Sequence, residues 1–433
     1  MSTSREPTAM RRAIAGTAVG NFMESYDFSL YSLVATTLAH TFYPGAGSGN
    51  LIATFGTLAV AFVIRPLGGI IFGPLGDRIG RKPVLLMTIG LMTFSATATG
   101  LLPGYRSIGV WAPILLVAVR LCQGLSTGGE YAGAMTYIVE TAPDRRRGKL
   151  AGFLPMGTLS GNVTAVAVLT GLQLALPPDD MARWGWRLPF FLALPLGLTA
   201  VILRLRLGET LGKASEQMPT ERGQFAQLRQ TIIGHWRPLL VCFGLEQTIC
   251  STNYMLSGYV PTYLKAIVRL SATEAMLMVL LALGVAAILV VFVAGLSDRV
   301  GVKPLIAAGC ALLLIGSIPA FLLLGTGSDF ATRAVGVLII GSALLCLNSI
   351  EPATLPALFP PEVRYGGVSI GYNLAVSAYG GTTPLVAQSL ISATGNTMMP
   401  AFVLMFAGFI GTTTLFFTPE VAGRPLPVSE AKP

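Results

Sequence analysis

Seven charged residues stand inside long apolar stretches of this chain: Glu24, Asp27, Arg65, Arg120, Glu130, Glu246 and Glu351. A charge at the centre of a lipid-facing helix costs roughly 3 kcal/mol on insertion scales, so such residues face a protein interior or a wet passage and take partners there. Glu24, Asp27 and Tyr31 recur at i, i+3 and i+7, which stacks them on one helical face with Phe28 beside them. Arg120, Gln123, Thr127 and Glu130 repeat that spacing further on. Two such stripes are predicted to point into one aqueous cavity, where the acids neutralise Arg65 and Arg120. The chemistry on offer is a reversible exchange: a proton on an acid frees an arginine to hold a carboxylate.

The same residues also admit a static reading. Arg65 and Arg120 can be ion-pair partners that only hold helices together. Glu24 and Glu130 can be structural acids, the latter beside Gly128 and Gly129, which allow close helix packing. Glu246 and Glu351 are the acids inside apolar stretches of the second half and read as buried and cavity-facing. Tyr254, Tyr259, Tyr263, Tyr372 and Tyr379 offer faces for a quaternary ammonium, and equally fit as packing residues.

Other chemistries lack their residues. The two histidines, His40 and His235, stand far apart at the ends of apolar stretches. The five cysteines, Cys122, Cys242, Cys250, Cys310 and Cys346, fall within apolar stretches and read as small apolar residues rather than disulfides or metal ligands. No nucleophile–base set and no glycine-rich phosphate loop is visible. An enzyme is therefore not expected, nor a metal site or a cofactor; a proton gradient is the expected energy source.

The elements that must position these charges follow from hydropathy. The 433-residue chain is 53% hydrophobic and 11% charged, with mean hydropathy +0.68, which places it among membrane proteins. About 20 apolar residues cross a bilayer as a helix. Such spans are predicted near 14–40, 51–75, 83–102, 108–139, 149–175, 187–207, 236–264, 273–296, 304–325, 331–358, 365–393 and 397–418. They divide six and six around a polar stretch. The predicted organisation is a bundle over 1–207, a cytoplasmic linker over 208–235, and a second bundle with a short tail over 236–433. With the N-terminus, the even-to-odd loops and the C-terminus on one side, most Lys and Arg fall on that side, which predicts both termini in the cytoplasm. The net charge of +9 is thus topological, and no nucleic-acid partner is expected. The polar, basic first twelve residues and the long first apolar run do not read as a cleavable signal.

One basic loop is written twice, as Gly76-Asp77-Arg78-Ile79-Gly80-Arg81-Lys82-Pro83 and as Ser297-Asp298-Arg299-Val300-Gly301-Val302-Lys303-Pro304. Pro143…Arg147-Gly148 likewise recurs as Pro360…Arg364-Tyr365-Gly366. Halves that repeat in the same order suggest two parallel bundles with a substrate site between them. Asp77 can cap or pair with helix ends across the interface, and Arg78 and Arg81 can bridge to acids such as Glu140. Asp298, Arg299, Arg147 and Arg364 would complete this cytoplasmic gate. The plain alternative is a set of anchors on the positive-inside side.

These runs resemble a known family. Gly76–Lys82 is similar to the loop signature of the major facilitator superfamily. Gly20-Asn21-Phe22-Met23-Glu24-Ser25-Tyr26-Asp27-Phe28, Arg65–Gly69, Arg120–Glu130 and Trp184–Phe191 resemble its metabolite:proton symporter family. The likeness runs from about residue 11 to 427. Gly128–Tyr131, Ala353–Pro360 and Met398–Ala401 look most like the proline/betaine transporters. The resemblance implies uptake of zwitterionic osmolytes driven by protons. Relatives on the same frame carry citrate, 2-oxoglutarate and shikimate. Ser25 replaces a usual aromatic, Glu246 and Glu351 are outside the pattern, and the long coiled-coil tail of some osmosensory members is not seen, so activation through it is not expected.

The expected fold is an all-α membrane protein, with twelve transmembrane helices in two pseudo-symmetric six-helix bundles. The expected function is a proton symporter of the bacterial plasma or inner membrane, a monomer, importing a small carboxylate-bearing metabolite of betaine or proline type. Arg65, Arg120, Gln123, Tyr31, Phe28, Tyr254, Tyr372 and Asn373 are the expected substrate contacts. Asp27, with Glu24 or Glu130, is the expected proton carrier. A di- or tricarboxylate or shikimate symporter is the alternative within transport, and a membrane metabolite receptor the alternative outside it.

Overall fold

Helices start where the sequence can satisfy their free backbone groups and run as long as the apolar stretch lasts. The computed structural model describes residues 6–44, 48–68, 81–128, 130–206, 232–325, 329–361 and 363–427. Twelve helices occupy the expected places. They are α1 (Glu6–Leu33), α2 (Ser48–Val63), α3 (Arg81–Leu101), α4 (Trp111–Ser126), α5 (Phe153–Ala175), α6 (Ala193–Arg206), α7 (Trp236–Tyr254), α8 (Ala272–Val300), α9 (Val302–Leu324), α10 (Phe330–Thr354), α11 (Arg364–Ala375) and α12 (Met399–Phe417). Several continue as short segments past a break, such as Glu130–Thr141 after α4 and Thr382–Thr394 after α11. Ser271 and Glu274 close a capping box at the start of α8, and Asp329 caps α10 through Thr332 N at 3.1 Å.

Eight segments among the described residues are long and apolar enough to cross a membrane. α7 and α11 are interrupted instead: each ends in a π-helical turn, Met255–Tyr259 and Val376–Gly380. They also carry buried polar residues, Glu246 and Gln247 on α7 and Asn373 on α11. α1 begins at Glu6 rather than near 14, because backbone hydrogen bonding continues past the end of an apolar run.

The two halves pack face to face. α1 lies along α5, α5 lies along α8 of the other half, and α2 meets Thr382–Thr394. One buried apolar cluster runs through both halves, from Phe28 and Phe62 to Tyr259 and Leu344. The crossing of α2 and α4 has no room for a side chain at Gly124, where a Cβ would stand 2.0 Å from the Ala61 carbonyl. Asp77 and Arg78 lie outside the described residues, as do the side chains of Arg81 and Glu130 and residues 208–231 of the expected linker.

The second copy of the basic loop turns at Gly301, whose φ of +99° a side chain rarely adopts. The next turn begins α9, and its first N–H groups need acceptors. Glu420, just past α12, supplies them: Val302 N and Lys303 N donate to its carboxylate at 2.9 and 3.2 Å, and Ala422 N at 3.0 Å. Burial works against this charge, but those N–H groups outweigh it and hold the Glu420 carboxyl below its ordinary value of 4.5. A depressed folded-state pKa adds stability that is present above the unfolded value and is lost as pH falls through the folded one. Glu420→Gln should therefore lower stability by about 1 kcal/mol at pH 7. It should also flatten the acid side of the stability curve below pH 4.5. Thermal unfolding in detergent across pH 3.5–7 measures both; curves for wild type and variant that stay parallel throughout contradict the assignment.

Candidate functional site

The stripe on α1 and the stripe on α4 meet. Arg120 Nη1 donates to Asp27 Oδ2 at 2.9 Å, and Gln123 bonds to both partners. The Arg120 guanidinium lies over the Tyr31 ring, 4.1 Å from its centroid, and Tyr31 Oη donates to the Thr54 carbonyl at 3.1 Å. Arg120 is fully buried and Asp27 is 2% exposed. Beside this cluster Arg65 pairs with Glu24 and packs against Phe28 and Phe62, 5.8 and 5.4 Å from the ring centroids. The Asp27–Arg120 pair is thus sealed between α1 and α4, and the Glu24–Arg65 pair lies beside it. Several of their polar atoms have no hydrogen-bond partner: Asp27 Oδ1, Arg120 Nε and Nη2, and Arg65 Nε. That unused capacity is where a new ligand can enter the network.

This differs from the expected open stripes in one respect. Asp27, Arg120, Gln123, Tyr31 and Phe28 do not face a cavity here; they close on one another. Only Glu24 of that first set lines the cavity that lies between the halves. The cavity is small, about 50 Å³, with space for a few waters. Its wall takes Ser25 from α1, Tyr131, Glu246 and Tyr254 from α7, Glu351 from α10 and Tyr372 from α11. Tyr254 and Tyr372 are where substrate contacts were expected. Asn373 is not: its amide donates to the Gly128 carbonyl at 2.8 Å and to the Ser369 carbonyl at 2.9 Å. Ser25, a small side chain on α1, lies in this wall.

Contacts close the cavity at both ends. At the end that carries the basic loops, Arg364 Nη1 bonds to Glu140 at 2.8 Å and reaches the carbonyls of Phe359 and Pro427. Asp298 accepts from Gly148 N at 2.7 Å and Lys149 N at 2.9 Å, which caps a helix start in the other half. Arg147 pairs with Asp144 and donates to the Arg424 carbonyl at 3.0 Å. Glu140 is therefore bound by Arg364, which the sequence reading assigned to a separate set; the contact joins the two halves and was invisible as a local spacing. Arg299 is exposed and stands apart from this network. At the opposite end, Phe62 sits against Gly380 and Gly381 and meets Tyr254 edge-on at 5.0 Å. Phe55 and Tyr259 are 6.0 Å apart, and Lys265 Nζ donates to the Leu33 carbonyl at 3.0 Å.

Some cavity residues were missed from sequence. Cys250 donates its thiol to Glu246 Oε1 at 2.9 Å, although it reads as a small apolar residue. The signal was present: Glu246, Cys250, Asn253 and Tyr254 form one stripe on α7, and all four line the cavity. Asn348 and Glu351 do the same on α10.

A bundle of two facing halves, with charge sealed beside a central cavity and contacts at each mouth, is the layout of a secondary transporter. The family described as the Major Facilitator Superfamily matches residues 17–384. The chain belongs to the major facilitator superfamily. It is 39% identical to the ectoine/proline transporter ProP of Corynebacterium glutamicum, over 97% of this chain and 86% of that one. It is 38% identical to the glycine betaine/proline/ectoine/pipecolic acid transporter OusA of Dickeya dadantii, over 96% and 85%. The proline/betaine transporter of Salmonella typhimurium is 38% identical over 96% and 85%. Among solved structures, the proton:xylose symporter XylE bound to 6-bromo-6-deoxy-D-glucose superposes with a TM-score of 0.75 at 17% identity, covering 97% of this chain and 98% of that one. A partially occluded, inward-open form of XylE from E. coli matches with a TM-score of 0.73. These two likenesses concern the fold.

If the basic-end contacts close that mouth, weakening them should expose the cavity. Hydrogen bonds from a charged group contribute about 1.5–3 kcal/mol each. In a chain whose other four cysteines are serine, Arg364→Gln should raise the alkylation rate of Cys250 by a small maleimide at least about tenfold. Glu140→Gln should raise it less, because Arg364 keeps its two carbonyl partners. Equal rates in all three proteins would show that these contacts do not guard the cavity.

Proposed function

We propose that this superfamily member is a proton-coupled importer of zwitterionic osmolytes of the betaine and proline type, working by alternating access. The observation that carries the reading is the pairing of Asp27 with Arg120 and of Glu24 with Arg65 beside a cavity shared by both halves. An unpaired charge at that depth is costly, so each arginine keeps its acid until something else satisfies it. A proton entering at Asp27 or Glu24 frees guanidinium N–H groups. A substrate carboxylate arriving in the cavity can then take the place of the acid. Arg65 is the nearer of the two, because its partner Glu24 lines the cavity. The transported zwitterion and the proton are linked by this exchange of partners, not by a separate relay. The names of the relatives, which speak of proline, glycine betaine and ectoine, support the same substrate class.

The two mouths supply the alternation. Release of Glu140–Arg364 and of Asp298 from the Gly148 turn opens the basic end. Release of Phe62 from its glycine notch and of Lys265 from Leu33 opens the other. The excess of Lys and Arg at the basic end supports a cytoplasmic position for it and for both termini. A tricarboxylate substrate fits less well, since three acids, Glu24, Glu246 and Glu351, line the cavity.

Asp27→Asn keeps the shape and the hydrogen bonds but cannot exchange a proton. In proteoliposomes with an inward proton gradient, the variant should lose uphill accumulation of labelled glycine betaine by at least about tenfold. Counterflow exchange of the same substrate, which needs no net proton movement, should persist. Gradient-driven accumulation at the wild-type level would remove Asp27 from the coupling step.

A further inference from the structure

Glu246 and Glu351 come from α7 and α10 and are 2% and 4% exposed. The Cys250 thiol holds Glu246 Oε1, while Glu246 Oε2 has no hydrogen-bond partner. Both acids line the cavity. Neither acid has an ion-pair partner among the described residues, and Arg65 is bound to Glu24. Burying two acids without a cation of their own is costly, and a static fold has a cheaper solution in apolar side chains.

The surroundings suit a cation. Tyr131, Tyr254 and Tyr372 line the same cavity, and the rings of Tyr131 and Tyr372 are 5.2 Å apart. Aromatic faces beside negative charge hold alkylammonium groups. Pro352 lies inside α10. Having no N–H, it leaves the Asn348 carbonyl without its helical donor, and Asn348 also lines the cavity.

We propose that Glu246 and Glu351, with the faces of Tyr131, Tyr254 and Tyr372, form a subsite for the positively charged end of the substrate, opposite the arginine that takes its carboxylate. The subsite rests on the transport reading above and makes it specific. A substrate must present a cation to the second half and a carboxylate to the first, so that binding it draws the halves together. A secondary ammonium donates to Glu246 Oε2; a quaternary one is held by charge and ring faces alone. Anions of the same shape are refused, because they leave the acid pair without a counter-charge.

The test compares glycine betaine with 3,3-dimethylbutyrate, which has the same carboxylate and a neutral tert-butyl group in place of trimethylammonium. Purified protein in liposomes takes up labelled glycine betaine, and each compound is titrated as an inhibitor. Wild type should be inhibited by unlabelled betaine at concentrations more than about tenfold lower than by the isostere. In Glu246→Gln, Glu351→Gln and the double variant, the affinity for betaine should fall while that for the isostere holds, so that the preference shrinks to about threefold or less. Glu246→Asp, which keeps the charge, should keep the preference. Wild-type betaine uptake without discrimination against the isostere overturns the subsite, and so does a parallel loss of both affinities in the Gln variants. Wild type that takes up neither betaine nor proline overturns the transport reading beneath it, which is a separate result.

Discussion

The Asp27–Arg120 pair is the constraint on which the rest of the structure depends. Both charges are removed from water between helices that themselves lie in hydrocarbon, and leaving either without a partner is costly. Gln123 and the Tyr31 face fill in around them. The helices must then approach closely enough for the pair to form. At the α2–α4 crossing, which also brings in Arg65, only glycine fits at position 124. Glu24–Arg65 repeats the arrangement one turn nearer the cavity. The first half is therefore rigid for an electrostatic reason, and it can change only by an exchange of partners.

The second half is built differently. It carries two π-helical turns, in α7 and past α11, close to Tyr254 and Val376 of the cavity wall. Such turns leave backbone groups poorly satisfied and are frequent at functional sites. Its acids have no arginine of their own. One half thus offers arginines held by acids and the other offers two buried acids, across a space too small for a metabolite in this closed form. A zwitterion complements that division of charge, and the contacts at the two mouths decide which side can deliver it. Those contacts are few and partly exposed: Glu140 is 44% exposed in its side chain while Arg364 is 3% exposed. Each such contact contributes at most about 3 kcal/mol, which suits a gate that must open often.

Much of this was legible in the sequence. Hydropathy located all twelve helices, because a bilayer leaves few alternatives to a helix of about 20 residues. The spacing of Glu24, Asp27 and Tyr31, and of Arg120 and Gln123, foretold two polar faces that meet. The faces are closed rather than open because charge is satisfied by direct contact when no ligand is there to take it. Pairings between distant helices were not legible. Nothing local tells that Glu140 meets Arg364, or that Glu246 and Glu351 line one cavity, since each pair comes from separate spans. Cys250 was misread for a simpler reason: its residue type outweighed its place, one turn from Glu246 on the cavity stripe. Asp77, Arg78 and the side chain of Glu130 fall outside the described residues, so their expected parts in gate and coupling stand as proposals.

The central claim is that substrate and proton enter the same network of ion pairs. It is tested most directly by proton uptake on ligand binding, in purified protein at low buffer strength with a pH indicator. The account predicts that saturating glycine betaine makes the protein take up protons near neutral pH. Binding of glycine betaine with no proton uptake anywhere between pH 6 and 8.5 would contradict it.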